Sequence, residues 1–383
     1  MAIQLSVLTR TFRKLVQGVL RPLVERFPGV FAELLADRLA RRPVGRVMEA
    51  FSRRGILLFS EEALELDPAQ VLAWAGVVAA HLERQEGNPA HDLFYRHGFH
   101  LLRKHYYLPL PDEADLASPC GSTASQLIGL DMNEAVGLDL LEQVLPAYVE
   151  EFRAHFPLQP TGNPRDFYLI NGGYMAVDAH VYYGLIRHLK PGRIIEIGSG
   201  FSTLLAGQAC LKNQEETGRA VQLIALEPYP WDILREGIPG LSQLIPVKVQ
   251  DADLALFTGL QAGDFLFIDS SHALRTGGDV QMEYLEILPR LSPGVLVHVH
   301  DISLPKPYPR VYFENQLYWN EQYLLQAFLA FNKRFEVLWP GNYLMERYPE
   351  RMRAVFPEFD VMRQHYPLSE PSAFWMRVRQ ASA

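Results

Sequence analysis

From residue 165 onward, short apolar runs alternate with longer amphipathic segments. RIIEIG (193–198), VQLIALE (221–227), LIPVKVQ (244–250), DFLFID (264–269) and GVLVHVHD (294–301) are strand-like, and the intervals between them are long enough for crossover helices. That alternation predicts an α/β architecture, a doubly wound and mostly parallel sheet with helices on both faces. Two later runs, FEVLWP (335–340) and AFWMRV (373–378), predict a terminal antiparallel hairpin at the sheet edge. Upstream the pattern is helical. Residues 1–105 carry helix-like periodicity punctuated by Pro22, Pro28, Pro43 and Pro68, and residues 132–154 form another helical stretch. Between them, HYYLPLPDEADLASPCGSTASQ (105–126) reads as an extended loop, and FPLQPTGNPRD (156–166) as a second break that marks the main domain boundary. The chain divides on this reading into a helical region (1–105), a linker with a helical segment that covers the substrate (106–164) and a sheet domain (165–383).

Composition changes this picture little. With 383 residues, 48% hydrophobic and 21% charged, the chain has enough apolar material for a large core and two structural units. Cys120 and Cys210 are too few and too far apart for a disulfide framework or a zinc site. No signal-peptide core and no membrane-length apolar run is evident, so a cytoplasmic protein is expected. The net charge of -8 hides a basic front: residues 1–60 hold eleven Arg and Lys against four Asp and Glu. In TRTFRKLVQGVLRPLVERF the apolar positions follow a helical period with arginines elsewhere, which reads as a helix packed on its own protein with a solvated basic face. Membrane-surface contact by this helix is the weaker reading. No nucleic-acid partner is expected, because no aromatic-basic interleaving follows, and a homo-oligomer is compatible with the pattern.

In such a sheet, ligands bind beyond the carboxyl ends of the strands, at the switch point. Those ends present Glu196, Gly198, Ser199 and Gly200, then Glu227, then Asp251 and Ala252, then Asp269-Ser-Ser-His272, then His300-Asp301. Polar groups at consecutive strand ends, with apolar strand interiors, are hard to attribute to packing. The glycine turn EIGSGFST departs from the dinucleotide pattern G-x-G-x-x-G at its third position, where Thr203 stands. A tight turn and a close ligand approach survive, through Gly198, Ser199, Gly200, Phe201 and Ser202, but the element suited to a pyrophosphate is lost. Glu227 ends its strand where a carboxylate can accept two ribose hydroxyls. A nucleoside without pyrophosphate points to S-adenosylmethionine, with Glu196 near its ammonium.

These motifs, EIGSGFST, LIALEPYP, VQDADLALF, DFLFIDSSH and LSPGVLVHVHDI, in this order over roughly 165–345, resemble class I S-adenosylmethionine-dependent methyltransferases. The resemblance is nearest to a bacterial group of broadly defined methyltransferases and reaches back to about residue 100 through HYYLPLPD, GLDMNEA and NGGYMAVDAHVYYGLIRHLKP. It implies a Rossmann-like seven-stranded sheet with a final reversed hairpin, and an adenine contact at Asp251 or the Ala252 backbone. The DxxH and HD pairs also look like those of metal-dependent O-methyltransferases acting on macrolide sugars. His300 departs from that pattern, since an acidic residue is expected there.

Transfer to a hydroxyl needs an acceptor held in line with the methyl group and a route for its proton. Asp269 and Asp301 offer hard oxygen ligands to Mg²⁺ or another divalent metal, with His300 a third ligand better suited to a transition metal. Asp269 is also a candidate cofactor contact. His272, expected one turn into a helix that Asp269, Ser270 or Ser271 would cap, is the candidate general base. His298 is expected to be a hydrogen-bonded core histidine. Tyr106, Tyr107, Tyr174 and Trp319 are candidate substrate contacts, and Asn171-Gly172-Gly173 a candidate cofactor rim. The function expected is methyl transfer from S-adenosylmethionine to a small-molecule hydroxyl. Two other classes stay open: a non-catalytic S-adenosylmethionine-binding protein that docks through its basic helix, and a nicotinamide-dependent oxidoreductase.

Overall fold

The computed structural model describes residues 104–380 together with Tyr95, His100 and Leu102. The basic periodic helix expected near the start of the chain lies outside the described residues. The chain forms two compact units, residues 1–109 and 110–383.

The second unit is built on seven strands: β1 Arg193–Ile197, β2 Gln222–Leu226, β3 Gln243–Ile245, β4 Phe265–Ile268, β5 Leu296–Val299, β6 Phe335–Pro340 and β7 Phe374–Val378. Their spatial order is β3-β2-β1-β4-β5-β7-β6, with β1 to β5 parallel. β4 and β5 are buried at every position, as expected where helices cover both faces. Every strand expected from the apolar runs forms, with one difference in detail. The run at 244–250 gives only a three-residue strand, because Pro246 has no N–H for the ladder and the chain turns into a 3₁₀ segment at Val249–Asp251. The terminal antiparallel pair forms at the sheet edge as expected, with β7 between β5 and β6 and antiparallel to both.

Four helices position the site: α1 Pro146–His155, α2 Asp178–Leu189, α3 Phe201–Thr217 and α4 Glu321–Leu329. Alternation along β1 sends Ile194 into one core with α2 and α3, where Val181, Leu185, Leu204 and Leu205 are buried. Ile195 and Ile197 enter the opposite core, with Leu325 and Leu329 of α4. Glu196 shares the Ile194 face and so meets α2. Val149 and Phe152 of α1 belong to the first core, so the compact unit includes residues upstream of the break at 156–166. Among the described residues no helix is long and apolar enough to cross a membrane.

Candidate active site

Parallel pairing brings the carboxyl ends of β1 and β4 together, and one glycine makes their junction possible. Gly198 has φ of +89°, and a Cβ there would fall 2.0 Å from the Asp269 carbonyl oxygen. Gly198→Ala is therefore expected to lose about 2 kcal/mol or more of stability, read by urea unfolding. A change within about 0.5 kcal/mol would show that the junction yields. Beyond it, Ser199 N–H donates to Glu227 Oε2 at 3.3 Å and Tyr229 N–H to Glu227 Oε1 at 2.8 Å. The Glu227 carboxylate thus faces the glycine turn across the end of β2. Thr203, one turn into α3, accepts from Gly200 N–H at 3.1 Å.

A cleft of about 730 Å³ opens over this turn, in the size range of small-molecule sites. Ser199, Gly200, Phe201 and Ser202 line one side, and Gly173 and Tyr174 another. The second wall is stiffened by Asn171, whose Oδ1 accepts from both Gly173 N–H and Tyr174 N–H at 2.8 Å. The floor carries Asp269, His272, His300 and Asp301, with Trp319 beside them.

Those four floor residues form a tight cluster. His272 Nε2 lies 3.3 Å from Asp269 Oδ1 and 3.4 Å from Asp301 Oδ2, while its Nδ1 meets Glu321 Oε2 at 2.9 Å. His300 repeats the arrangement. Its Nδ1 lies 3.5 Å from Asp269 and 3.7 Å from Asp301, and its Nε2 lies 3.5 Å from Asp178 Oδ2 and 3.3 Å from Ser372 Oγ. Each imidazole is thus held between the central aspartates and a carboxylate behind it. Burial alone would push both rings down, but Asp269, Glu321 and Asp301 hold His272 well above the usual imidazole range, and Asp301, Asp269 and Asp178 do the same for His300. Burial would raise Asp269, yet His300 and His272 hold it well below the ordinary carboxylate range. Four carboxyl groups thus surround two imidazoles.

The donor set suits a divalent cation. One ligand atom each from Asp269, His272 and Asp301 lies within 4.8 Å of the others. Ligands about 2.1 Å from an ion at right angles stand roughly 3 Å apart, near the His272 distances found here. The Glu321 bond fixes which imidazole nitrogen faces the aspartates, as a carboxylate behind a ligating histidine does. His272 and Asp301 both adopt left-handed backbone, with φ of +57° and +55°, a region that His and Asp enter more readily than most residues.

A family model described as a methyltransferase domain matches residues 195–302, the segment from β1 through the end of β5 that builds this cleft. An uncharacterized protein of Archaeoglobus fulgidus is 34% identical over 165 residues, covering 41% of this chain and 72% of that protein. The chain belongs to the class I S-adenosylmethionine-dependent methyltransferase family.

Within this methyltransferase, several expectations need amending. No helix starts near His272. The helix begins at Asp279, so Asp269, Ser270 and Ser271 cap nothing; Ser271 instead donates through both N–H and Oγ to Asp279, at 3.1 and 2.6 Å. His298 is fully buried but not hydrogen-bonded. It stacks on Phe267 at 4.1 Å, with aromatic neighbours Tyr182 and Trp375 on the same face, and burial pushes its pKa well down. Glu196 does not line the cleft: it is fully buried under the turn, where Tyr182 donates to it at 3.0 Å. Asp251 is exposed, and neither it nor Ala252 lines the cleft. Tyr106 and Tyr107 are highly exposed and belong to the other compact unit.

Sequence reasoning missed Glu321, Asp178, Ser372 and Trp231. Trp231 lines the cleft and packs edge-on against Phe201 at 5.0 Å. A tryptophan in PYPW directly after the Glu227 strand end was a readable signal. Glu321 and Asp178 are acids at the starts of apolar helices, where a dipole role is the simpler reading.

Proposed function

We propose that the protein methylates a hydroxyl of a small-molecule acceptor, using S-adenosylmethionine and a divalent metal. The observation that carries this reading is the convergence of Asp269, His272 and Asp301 on the floor of the cleft that the glycine turn opens. Ser199, Gly200, Phe201 and Ser202 would follow the cofactor, with Glu227 accepting its ribose hydroxyls and Phe201 and Trp231 offering aromatic surface. Asp251 and Ala252 keep the adenine role only if the bound state draws them in. Glu196, beneath the turn, would act on the ammonium through the field of its carboxylate.

A bound divalent ion would lower the acceptor hydroxyl's pKa and orient it. Asp269, Asp301 and His272 would hold that ion, with Glu321 orienting His272. This arrangement favours exchanging the roles first expected of the two histidines. His300, with Asp178 and Ser372 behind Nε2, is the better candidate to take the acceptor's proton at Nδ1, and it does so only once the proton that its carboxylates hold on the ring has left. As the acceptor O–CH₃ bond forms, the sulfonium S–CH₃ bond breaks and the neutral thioether leaves. Tyr174 and Trp319, both lining the cleft, would restrict the acceptor's approach. The two cysteines are free, in keeping with a reducing cytoplasmic setting.

Calorimetry of S-adenosylhomocysteine with and without Mg²⁺, Mn²⁺ and Fe²⁺, joined to the metal content of the purified protein, tests the reading. Cofactor-product binding together with stoichiometric metal is expected; absence of binding under every condition would overturn it. Glu227→Ala is expected to weaken S-adenosylmethionine about 10- to 100-fold, the cost of two hydrogen bonds to a charged group. Unchanged affinity would remove Glu227 from the ribose site.

A further inference from the structure

A second cleft of about 550 Å³ adjoins the first and shares Tyr312, Glu370 and Ser372 with it. The shared Ser372 is the link to the chemistry, since its Oγ lies 3.4 Å from Asp301 Oδ1 and 3.3 Å from His300 Nε2. A ligand filling the second cleft therefore ends beside the cluster.

Two features of its wall point to what that ligand carries. The first is charge. Of the charged residues lining it, Glu370 is paired with Arg363 at 2.6 Å, and Arg310 is held by Glu113 and Glu314. Lys306 has no ion pair or side-chain hydrogen bond among the described residues, though it is half-buried between Pro305 and Pro307. An unpaired ammonium on this wall is available to an anionic group of a ligand. The second is an orphaned acceptor. Asn342 lines the same cleft at 3% exposure; its Nδ2 donates to Pro371 O at 3.1 Å, and its Oδ1 has no partner. A buried carbonyl oxygen of this kind calls for a donor such as a hydroxyl. Tyr308, Tyr312 and Phe313 supply flat apolar surface between these polar points.

We propose that this cleft binds the body of the acceptor and that the acceptor is an anionic polyhydroxyl or hydroxy-aromatic compound. Lys306 pairs with its carboxylate or phosphate, Asn342 Oδ1 accepts from a non-reacting hydroxyl, and the reacting hydroxyl passes Ser372 to the cluster. The acceptor role rests on the methyltransferase reading above; the anion site itself does not.

The test uses the full chain and matched probes in ligand-observed NMR titrations: 3,4-dihydroxybenzoate against its methyl ester, and glucose 6-phosphate against glucose. At least one anionic probe is expected to bind about tenfold or more tighter than its neutral partner, and which pair shows this tells carboxylate from phosphate. Lys306→Gln is expected to erase the preference and Lys306→Arg to keep it, with S-adenosylhomocysteine affinity unchanged in both. Equal binding of the paired probes, a preference that survives Lys306→Gln, or no binding of any probe would overturn the proposal. Titrating S-adenosylhomocysteine on the same samples separates the two readings: its failure to bind beside an intact anion preference would sink the methyltransferase mechanism alone.

Discussion

On the proposed metal-assisted mechanism, Asp301→Ala is expected to abolish metal binding and, with it, turnover. The carboxylate lies 3.4 Å from His272 Nε2 and 3.7 Å from His300 Nδ1, so its removal takes a ligand and leaves two buried imidazoles with one central carboxylate between them. We expect metal affinity to fall at least about 100-fold and methyl transfer on the order of a thousandfold, with S-adenosylhomocysteine affinity changed less than about threefold. Metal analysis, calorimetry and initial rates check the three together. Full metal occupancy in the variant would remove Asp301 from the site. The pH dependence follows from His272. Its pKa is held well above the usual value, so a proton competes for Nε2 and metal affinity should rise with pH until the ring is neutral. An imidazole beside two carboxylates also favours Mn²⁺ or Fe²⁺ over Mg²⁺, which prefers an all-oxygen ligand set.

Glu196→Gln is expected to change how stability depends on pH. Burial raises the Glu196 carboxyl to about 7, against only partial relief from Thr203, Tyr182 and Ser202, while the unperturbed value is 4.5. The folded state therefore holds a proton that the unfolded chain has released. Stability from this group is fully present below about pH 4.5 and is lost as pH rises through about 7. A difference of this size corresponds to about 3 kcal/mol, as an upper bound. Urea unfolding of the ligand-free protein between pH 5 and 8 should slope downward in the wild type and run flatter in Glu196→Gln. Parallel profiles would mean that Glu196 is not the titrating group. A cationic ligand near the turn should favour the ionised form, so cofactor binding is expected to release part of this proton.

The sheet was legible because its signals are local. Apolar runs such as FLFI and LVHV, spaced by helix-length segments, need no long-range information to mark buried parallel strands. The positions of Ser199, Gly200, Asp269 and Asp301 followed, because parallel strands carry their ends to one edge. What was not legible depends on backbone hand and distant partners. His272 reaches the two aspartates through its own left-handed backbone in the loop at 269–278, where a helix was the simpler expectation. Glu321 meets it from α4, and Ser372 meets Asp178 from the turn before β7, at 2.9 Å to its N–H. Neither pairing leaves a periodic trace. His298 and His300 share one strand face, yet the ring among Phe267 and Trp375 stays neutral and the ring among carboxylates takes a proton.

The position of β7 between β5 and β6 also orders events in time. β5 and β6 have no ladder to one another, so both wait with open edges until the last of the seven strands arrives. Ser372 travels with that strand. During synthesis, a chain still lacking residues 372–378 holds the glycine turn, Asp269 and Asp301, but leaves Asp178 without the two hydrogen bonds from Ser372 and the wall between the two clefts incomplete. The loop that must close to pair β7 with β5 spans β6 and five helices, which makes this docking a slow, non-local step. Catalytic competence is then acquired in one late event, and an unfinished chain presents β5 as an unprotected edge that a chaperone or a second copy can capture.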